Sequence, residues 1–156
     1  MKKTLLALGL LLGFLGLTQK ASAQEYKYGV GLRFAYLTPG FAFNYFKSAK
    51  IEYEGILSGG WDGKDAIITG LYKTHYPLQI EAADLTWYWG VGAHLGNQSS
   101  NGPLVGANGT IGLQWVSKEI PIGITLDLSP ILDAITYGND SNFKLDLGMG
   151  LHYYFK

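Results

Sequence analysis

The chain has 156 residues, with 12 Lys+Arg against 12 Asp+Glu and therefore no formal net charge. Charged residues make up 15% of it, against about 25% in an ordinary soluble domain, while 47% are hydrophobic and 22 are Gly. That balance excludes intrinsic disorder and lacks the basic excess of a nucleic-acid binder, and zero Cys removes disulfides, thiolate metal sites and a Cys nucleophile.

Residues 1–23 read as a cleavable secretory signal. Lys2 and Lys3 form its positive start, Leu5 to Leu17 is an uncharged run of 13 residues, and Ala21-Ser22-Ala23 is a small-residue cleavage site. A spanning helix needs about 20 apolar residues, so this run is too short to be an anchor. Cleavage leaves residues 24–156 as one domain. Losing Lys2, Lys3 and Lys20 leaves nine basic residues against 12 acidic ones, a net charge of −3.

From there the sequence alternates with period two, the signature of strands with one apolar face. Over 28–37, Tyr28, Val30, Leu32, Phe34 and Tyr36 oppose Gly29, Gly31, Arg33 and Ala35. Over 39–48, Phe41, Phe43 and Tyr45 oppose Ala42 and Asn44, and over 50–58, Ile51, Tyr53 and Leu57 oppose Glu52, Glu54 and Ser58. The 66–76 segment sets Ile68, Gly70 and Tyr72 against Thr69, Lys73 and His75; the 84–95 segment sets Leu85, Trp87, Trp89, Val91, Ala93 and Leu95 against Thr86, Tyr88, Gly90, Gly92 and His94. Over 104–117, Ile111, Leu113 and Trp115 oppose Asn108, Thr110, Gly112 and Gln114. Over 121–129, Ile122, Ile124, Leu126 and Leu128 oppose Gly123, Thr125, Asp127 and Ser129. The last segment, 142–155, sets Phe143, Leu145, Leu147, Met149, Leu151, Tyr153 and Phe155 against Lys144, Asp146, Gly148, Gly150, His152 and Tyr154. These are eight strands. Turn residues place one set of connections at 38–40, 59–65, 96–103 and 130–141, and the other at 48–49, 77–83 and 118–120. The 77–83 connection is long and apolar for a turn.

Eight such strands close either as a soluble barrel with apolar side chains inside or as a membrane barrel with them outside; a sandwich is the remaining arrangement. The polar face is rich in Gly, which weakens a water-facing strand but suits a crowded interior. The opposite face is large and aromatic, an apolar surface that soluble monomers rarely expose. The expected fold is therefore all-β: an eight-stranded antiparallel up-and-down transmembrane barrel. Tyr28, Tyr36, Tyr45, Tyr53, Trp87, Trp115, Tyr153 and Phe155 lie near strand ends, as interfacial aromatics do.

The final strand carries a recognisable pattern. Gly150-Leu151-His152-Tyr153-Tyr154-Phe155 resembles the C-terminal insertion signal of bacterial outer-membrane proteins, with Gly150, Tyr153 and Phe155 as its marks. Leu57-Ser58-Gly59-Gly60-Trp61, Thr69-Gly70-Leu71-Tyr72, Trp87 through His94, Ile120-Pro121-Ile122 and Asp127-Leu128-Ser129-Pro130 extend the likeness over about residues 26–156. The chain resembles the short eight-stranded outer-membrane barrels of the OmpA/OmpX type, and small barrels common in Bacteroidota. The resemblance implies export to the outer membrane and no catalytic residues. Implied partners are the lipid bilayer and, during insertion, the outer-membrane assembly machinery.

The candidate interior cluster comprises Arg33, Glu52, Glu54, Lys73, His75, Asp127, Lys144 and Asp146. Glu52 or Glu54 is expected to meet Lys73 or His75 across neighbouring strands, while Asp127, Lys144, Asp146 and Arg33 are expected to group through strands seven, eight and one. Unpaired charges in a narrow interior are costly and paired ones tolerable, so a salt-bridge plug is the expectation. No metal or cofactor motif is present. His75, His94 and His152 fall on the inner face. The expected role is a non-enzymatic surface or structural barrel, with an unidentified ligand at its external loops. Its rivals are a narrow ion or proton channel and a lipid-modifying enzyme using His94 with Ser99, Ser100, Ser129 or Ser141 at the rim. The 130–141 segment is apolar for a loop and is expected to cover the barrel mouth; an extension of the seventh strand, a helical turn on the mouth and a partner-binding patch are the alternatives. Gly138 to Asn142 reads as a turn cluster.

Overall fold

The computed structural model describes residues 26–59, 65–80, 83–98, 102–117, 120–135 and 143–156. The signal segment 1–23, Ser99, Ser100, Ser141 and the 138–142 turn cluster lie outside the described residues. Eight strands follow in chain order: β1 (Tyr28–Ala35), β2 (Gly40–Ser48), β3 (Ile51–Ser58), β4 (Ala66–Ile80), β5 (Ala83–Gln98), β6 (Gly102–Val116), β7 (Ile122–Ile135) and β8 (Phe143–Phe155). Each pairs antiparallel with the next, and β1 pairs with β8, so the sheet closes into a barrel without an edge.

Both termini, with the β2–β3, β4–β5 and β6–β7 connections, lie at one end, called here the terminal end. The other four connections lie at the mouth. Three boundaries differ from the sequence expectation. The 77–83 segment is strand for most of its length: β4 runs to Ile80 and β5 starts at Ala83, with Tyr76 opposite Trp87 and Ile80 opposite Ala83. β3 has already ended opposite Thr74, so the hairpin projects past its neighbour, where Pro77 needs no ladder partner on that side. The 96–103 connection is shortened likewise, because β5 reaches Gln98 and β6 begins at Gly102. Gly102 has φ of 75°, which a side chain disfavours. Third, 130–135 belongs to β7, with Ile131 and Asp133 on the inner face, and does not lie over the mouth. Pro130 hides this from a sequence reading: the β6–β7 ladder is interrupted opposite it, and its ring lies 3.0 Å from where a Cβ on Gly109 would stand.

The packing is inside out relative to a soluble barrel. The largest fully buried side chains are Tyr88, Tyr154, Gln114, Glu52 and Asp146, whereas Phe41 and Phe43 are 59% exposed and Leu147 61%. The soluble-barrel and sandwich alternatives, which bury the apolar face, are thereby removed. On the outer face, Lys47 sits near the end of β2. Inner-face glycines make room for large neighbours: a Cβ on Gly29 or on Gly123 would meet the Tyr154 ring at 2.6 Å.

Candidate functional site

The interior polar residues form two groups at different heights. The lower group is built by strand register. Glu52 on β3 stands opposite Lys73 on β4, and Asn44 on β2 stands opposite Glu54. With a period of two, Glu52 and Glu54 share the inner face, as do Lys73 and His75. The Lys73 ammonium lies 2.6 Å from Glu54 Oε2 and 3.8 Å from Glu52 Oε1, and sits 4.6 Å from the Tyr88 ring centroid. His75 Nε2 is 2.5 Å from Glu52 Oε2. The Asn44 amide donates to Glu52 and, at 3.2 Å, to Glu54 Oε1. Its carbonyl oxygen is 3.0 Å from His152 Nδ1, and His152 Nε2 reaches the Thr125 hydroxyl at 3.2 Å.

Arg33 joins this network from β1. Its partner is not on a neighbouring strand: the guanidinium crosses β8 and donates two hydrogen bonds of 2.7 Å to the Asp127 carboxylate on β7. The crossing is possible because Gly148, opposite Asp127, carries no side chain, and a Cβ there would fall within the Arg33 guanidinium. Ser129 Oγ donates to Asp127 Oδ1 at 3.0 Å and the Tyr88 hydroxyl donates to Oδ2 at 3.3 Å. Tyr88 thus connects both halves, its ring against Lys73 and its hydroxyl on Asp127. Below them, Gln114 donates to the Tyr154 hydroxyl at 2.6 Å, and Phe46 and Tyr26 pack on the Tyr154 ring.

The upper group lies at the mouth. His94 Nε2 is 3.0 Å from Asp133 Oδ1, its Nδ1 faces Asn108 Oδ1, and the Lys144 ammonium is 3.0 Å from Asp133 Oδ2. Asp146 accepts from the Leu37 backbone N–H at 2.9 Å and from the Thr38 hydroxyl at 2.5 Å, so it ties down the turn between β1 and β2. The four residues expected to group through β7, β8 and β1 therefore divide. Arg33 and Asp127 pair in the lower network, Lys144 pairs with Asp133, and Asp146 holds backbone. Asp127 and Asp146 are both inward on adjacent strands, but Arg33 reaches only the former.

Both ring nitrogens of His94 are occupied, by Asn108 and Asp133, which leaves neither poised to take a proton from a hydroxyl. Ser129 bonds to Asp127 and contacts Thr110 instead. Among the described residues no group of three or more His, Cys, Asp or Glu is arranged to hold a metal ion. Asn44, Tyr88 and Asp133 carry much of this geometry without having been singled out from the sequence. The signal for Asp133 was available: Asp127, Ser129, Ile131 and Asp133 keep one parity.

No protein-family model matches the chain, and no curated protein does. Among solved structures, it is similar to the N-terminal β-barrel domain of Pseudomonas aeruginosa OprF, with a TM-score of 0.62 and 16% identity, covering 86% of this chain and 100% of that one. The likeness is one of fold.

Proposed function

We propose that this chain is an integral barrel of the bacterial outer membrane, reached through the secretory pathway after loss of residues 1–23. Its interior is closed by an ion-pair network, and it works as a scaffold presenting its mouth connections at the cell surface. One observation carries this reading: a continuous belt of large apolar side chains faces outward while the strands' mid-height charges turn inward. Water penalises that arrangement and hydrocarbon favours it, and closure satisfies the backbone groups that hydrocarbon cannot. The OprF likeness supports the fold that such a role requires.

The aromatics support a direction. Tyr28, Tyr45, Tyr53, Trp115, Tyr153 and Phe155 are exposed at the terminal end, and Trp87 stacks on Tyr76 there at 4.7 Å. Tyr28 lies 5.6 Å from Tyr45 and 5.9 Å from Phe155, and Tyr45 lies 6.2 Å from Tyr53, a run of rings suited to the periplasmic interface. Tyr36 is alone among the eight candidates at the mouth end, 81% exposed. Tyr153 and Phe155 turn outward on β8 with Gly150 inward, which supports reading these three as the marks of the insertion motif. An enzymatic role receives no support from His94.

The test is reconstitution. Refolded protein should show heat-modifiable gel mobility, and phospholipids brominated at mid-chain should quench Trp89 fluorescence more strongly than that of Trp115. Protein that stays water-soluble without detergent would remove the membrane reading. Stepwise conductance in planar bilayers would replace the closed interior with a channel.

A further inference from the structure

A second feature of the mouth lies beyond the scaffold role and does not depend on the membrane address. The Asp133 group itself lines a cavity of about 370 Å³ inside the barrel, within the roughly 300–1,000 Å³ typical of small-molecule sites. Ile67, Leu104 and Ile131, each buried, give it apolar lining. Asp133, Lys144 and Gln98 line it as well.

The polar lining is incompletely hydrogen-bonded. Asp133 is 4% exposed, and its Oδ2, although 3.0 Å from the Lys144 ammonium, makes no hydrogen bond. The buried Gln98 Oε1 also has no hydrogen-bond partner. Buried acceptors left open are uncommon in folded proteins and costly. Lys144 has the more exposed side chain of its pair, 23% against 2% for Asp133, and its ammonium has three donors, not all consumed by one ion-pair contact. The site therefore offers the unpartnered Gln98 Oε1, together with the ion-paired Asp133 carboxylate and Lys144 ammonium, beside apolar side chains. A lone anion or cation entering here would leave one sign uncompensated. A zwitterion adds both signs at once, its ammonium to Asp133 Oδ2 and Gln98 Oε1, its carboxylate to Lys144.

We propose that the mouth cavity binds a small zwitterion bearing an apolar group: an apolar α-amino acid, free or as the end of a short peptide. Lys144 and Gln98 fix the charged end, and Ile67, Leu104 and Ile131 receive the side chain.

The experiment is a calorimetric titration of the full mature chain in phospholipid nanodiscs, or in plain buffer if it proves water-soluble, so that this reading and the membrane reading fail separately. The probes are leucine, glycyl-leucine, 4-methylpentanoate without the ammonium, and 3-methylbutylamine without the carboxylate. Expected is saturable binding of leucine or glycyl-leucine with Kd below about 1 mM, and at least roughly tenfold weaker binding of both truncated analogues. The stronger of the two zwitterions identifies a free amino acid or a peptide end. Lys144→Met and Gln98→Ala should each weaken binding roughly tenfold while retaining heat-modifiable mobility; should Lys144→Met not fold, Gln98→Ala decides. No saturable binding up to about 10 mM overturns the proposal. So does an analogue that matches leucine, or Gln98→Ala binding with wild-type affinity.

Discussion

The Arg33–Asp127 pair makes a quantitative claim about how the interior is held. Both hydrogen bonds are 2.7 Å, and the side chains are 7% and 1% exposed. Removing one member of a buried pair strands the other, at a cost of about 3–5 kcal/mol, whereas removing both is often close to neutral. Arg33→Met leaves Asp127 with two donors, Ser129 and Tyr88, and belongs near the lower figure. Asp127→Asn turns an amide N–H toward the guanidinium and takes away both its charged acceptor atoms, so it belongs near the upper one. The double variant loses both charges together and should fall within about 1–2 kcal/mol of wild type, giving a coupling energy of about 6 kcal/mol. Equilibrium urea unfolding of the reconstituted barrel, followed by tryptophan emission, measures all four corners. Strictly additive losses would refute the claim that the two charges are held by each other.

Three further outcomes follow from the geometry. Gly148→Leu should cost about 3 kcal/mol or more, because it closes the passage Arg33 uses, whereas Gly70→Val, on the outer face with nothing within 4 Å of its Cβ, should change stability by no more than about 0.5 kcal/mol; equal effects in urea titrations would contradict the face assignment. Asp146→Ala should raise the hydrogen-exchange rate of the Leu37 amide by roughly tenfold or more and leave amides at the terminal end unchanged, as read by NMR, since that carboxylate accepts from the amide at 2.9 Å. Tyr45→Ala removes a ring between Tyr28 and Tyr53 and should cost about 1–2 kcal/mol in lipid; a smaller loss in the same unfolding assay would deny the aromatic run an anchoring role.

Parity was the most legible property of the sequence. Tyr28 to Tyr36, Ile122 to Leu128 and Phe143 to Phe155 each keep one apolar face, and the structure turns that face outward in all three. Strand ends were less legible. Turn residues such as Pro77 and Pro130 read as breaks, yet both lie within strands, Pro77 where β4 has outrun β3 and Pro130 where the β6 ladder is already interrupted. Proline marks a missing N–H, and a sequence does not say whether that position needed one.

Composition and period-two alternation determined that the chain forms eight strands, that their faces differ in polarity, and that the Gly-rich face belongs inside. Those properties are local, set by each side chain and its neighbours two residues away. Which charges meet was decided partly by register between neighbouring strands and partly by the curved tertiary structure. Register places Glu52 beside Lys73, but Arg33 finds Asp127 over an intervening strand, through the gap at Gly148, while Lys144 turns to Asp133 near the mouth. Such contacts depend on barrel curvature and on the space that absent side chains leave, and both exist only once the eighth strand has met the first.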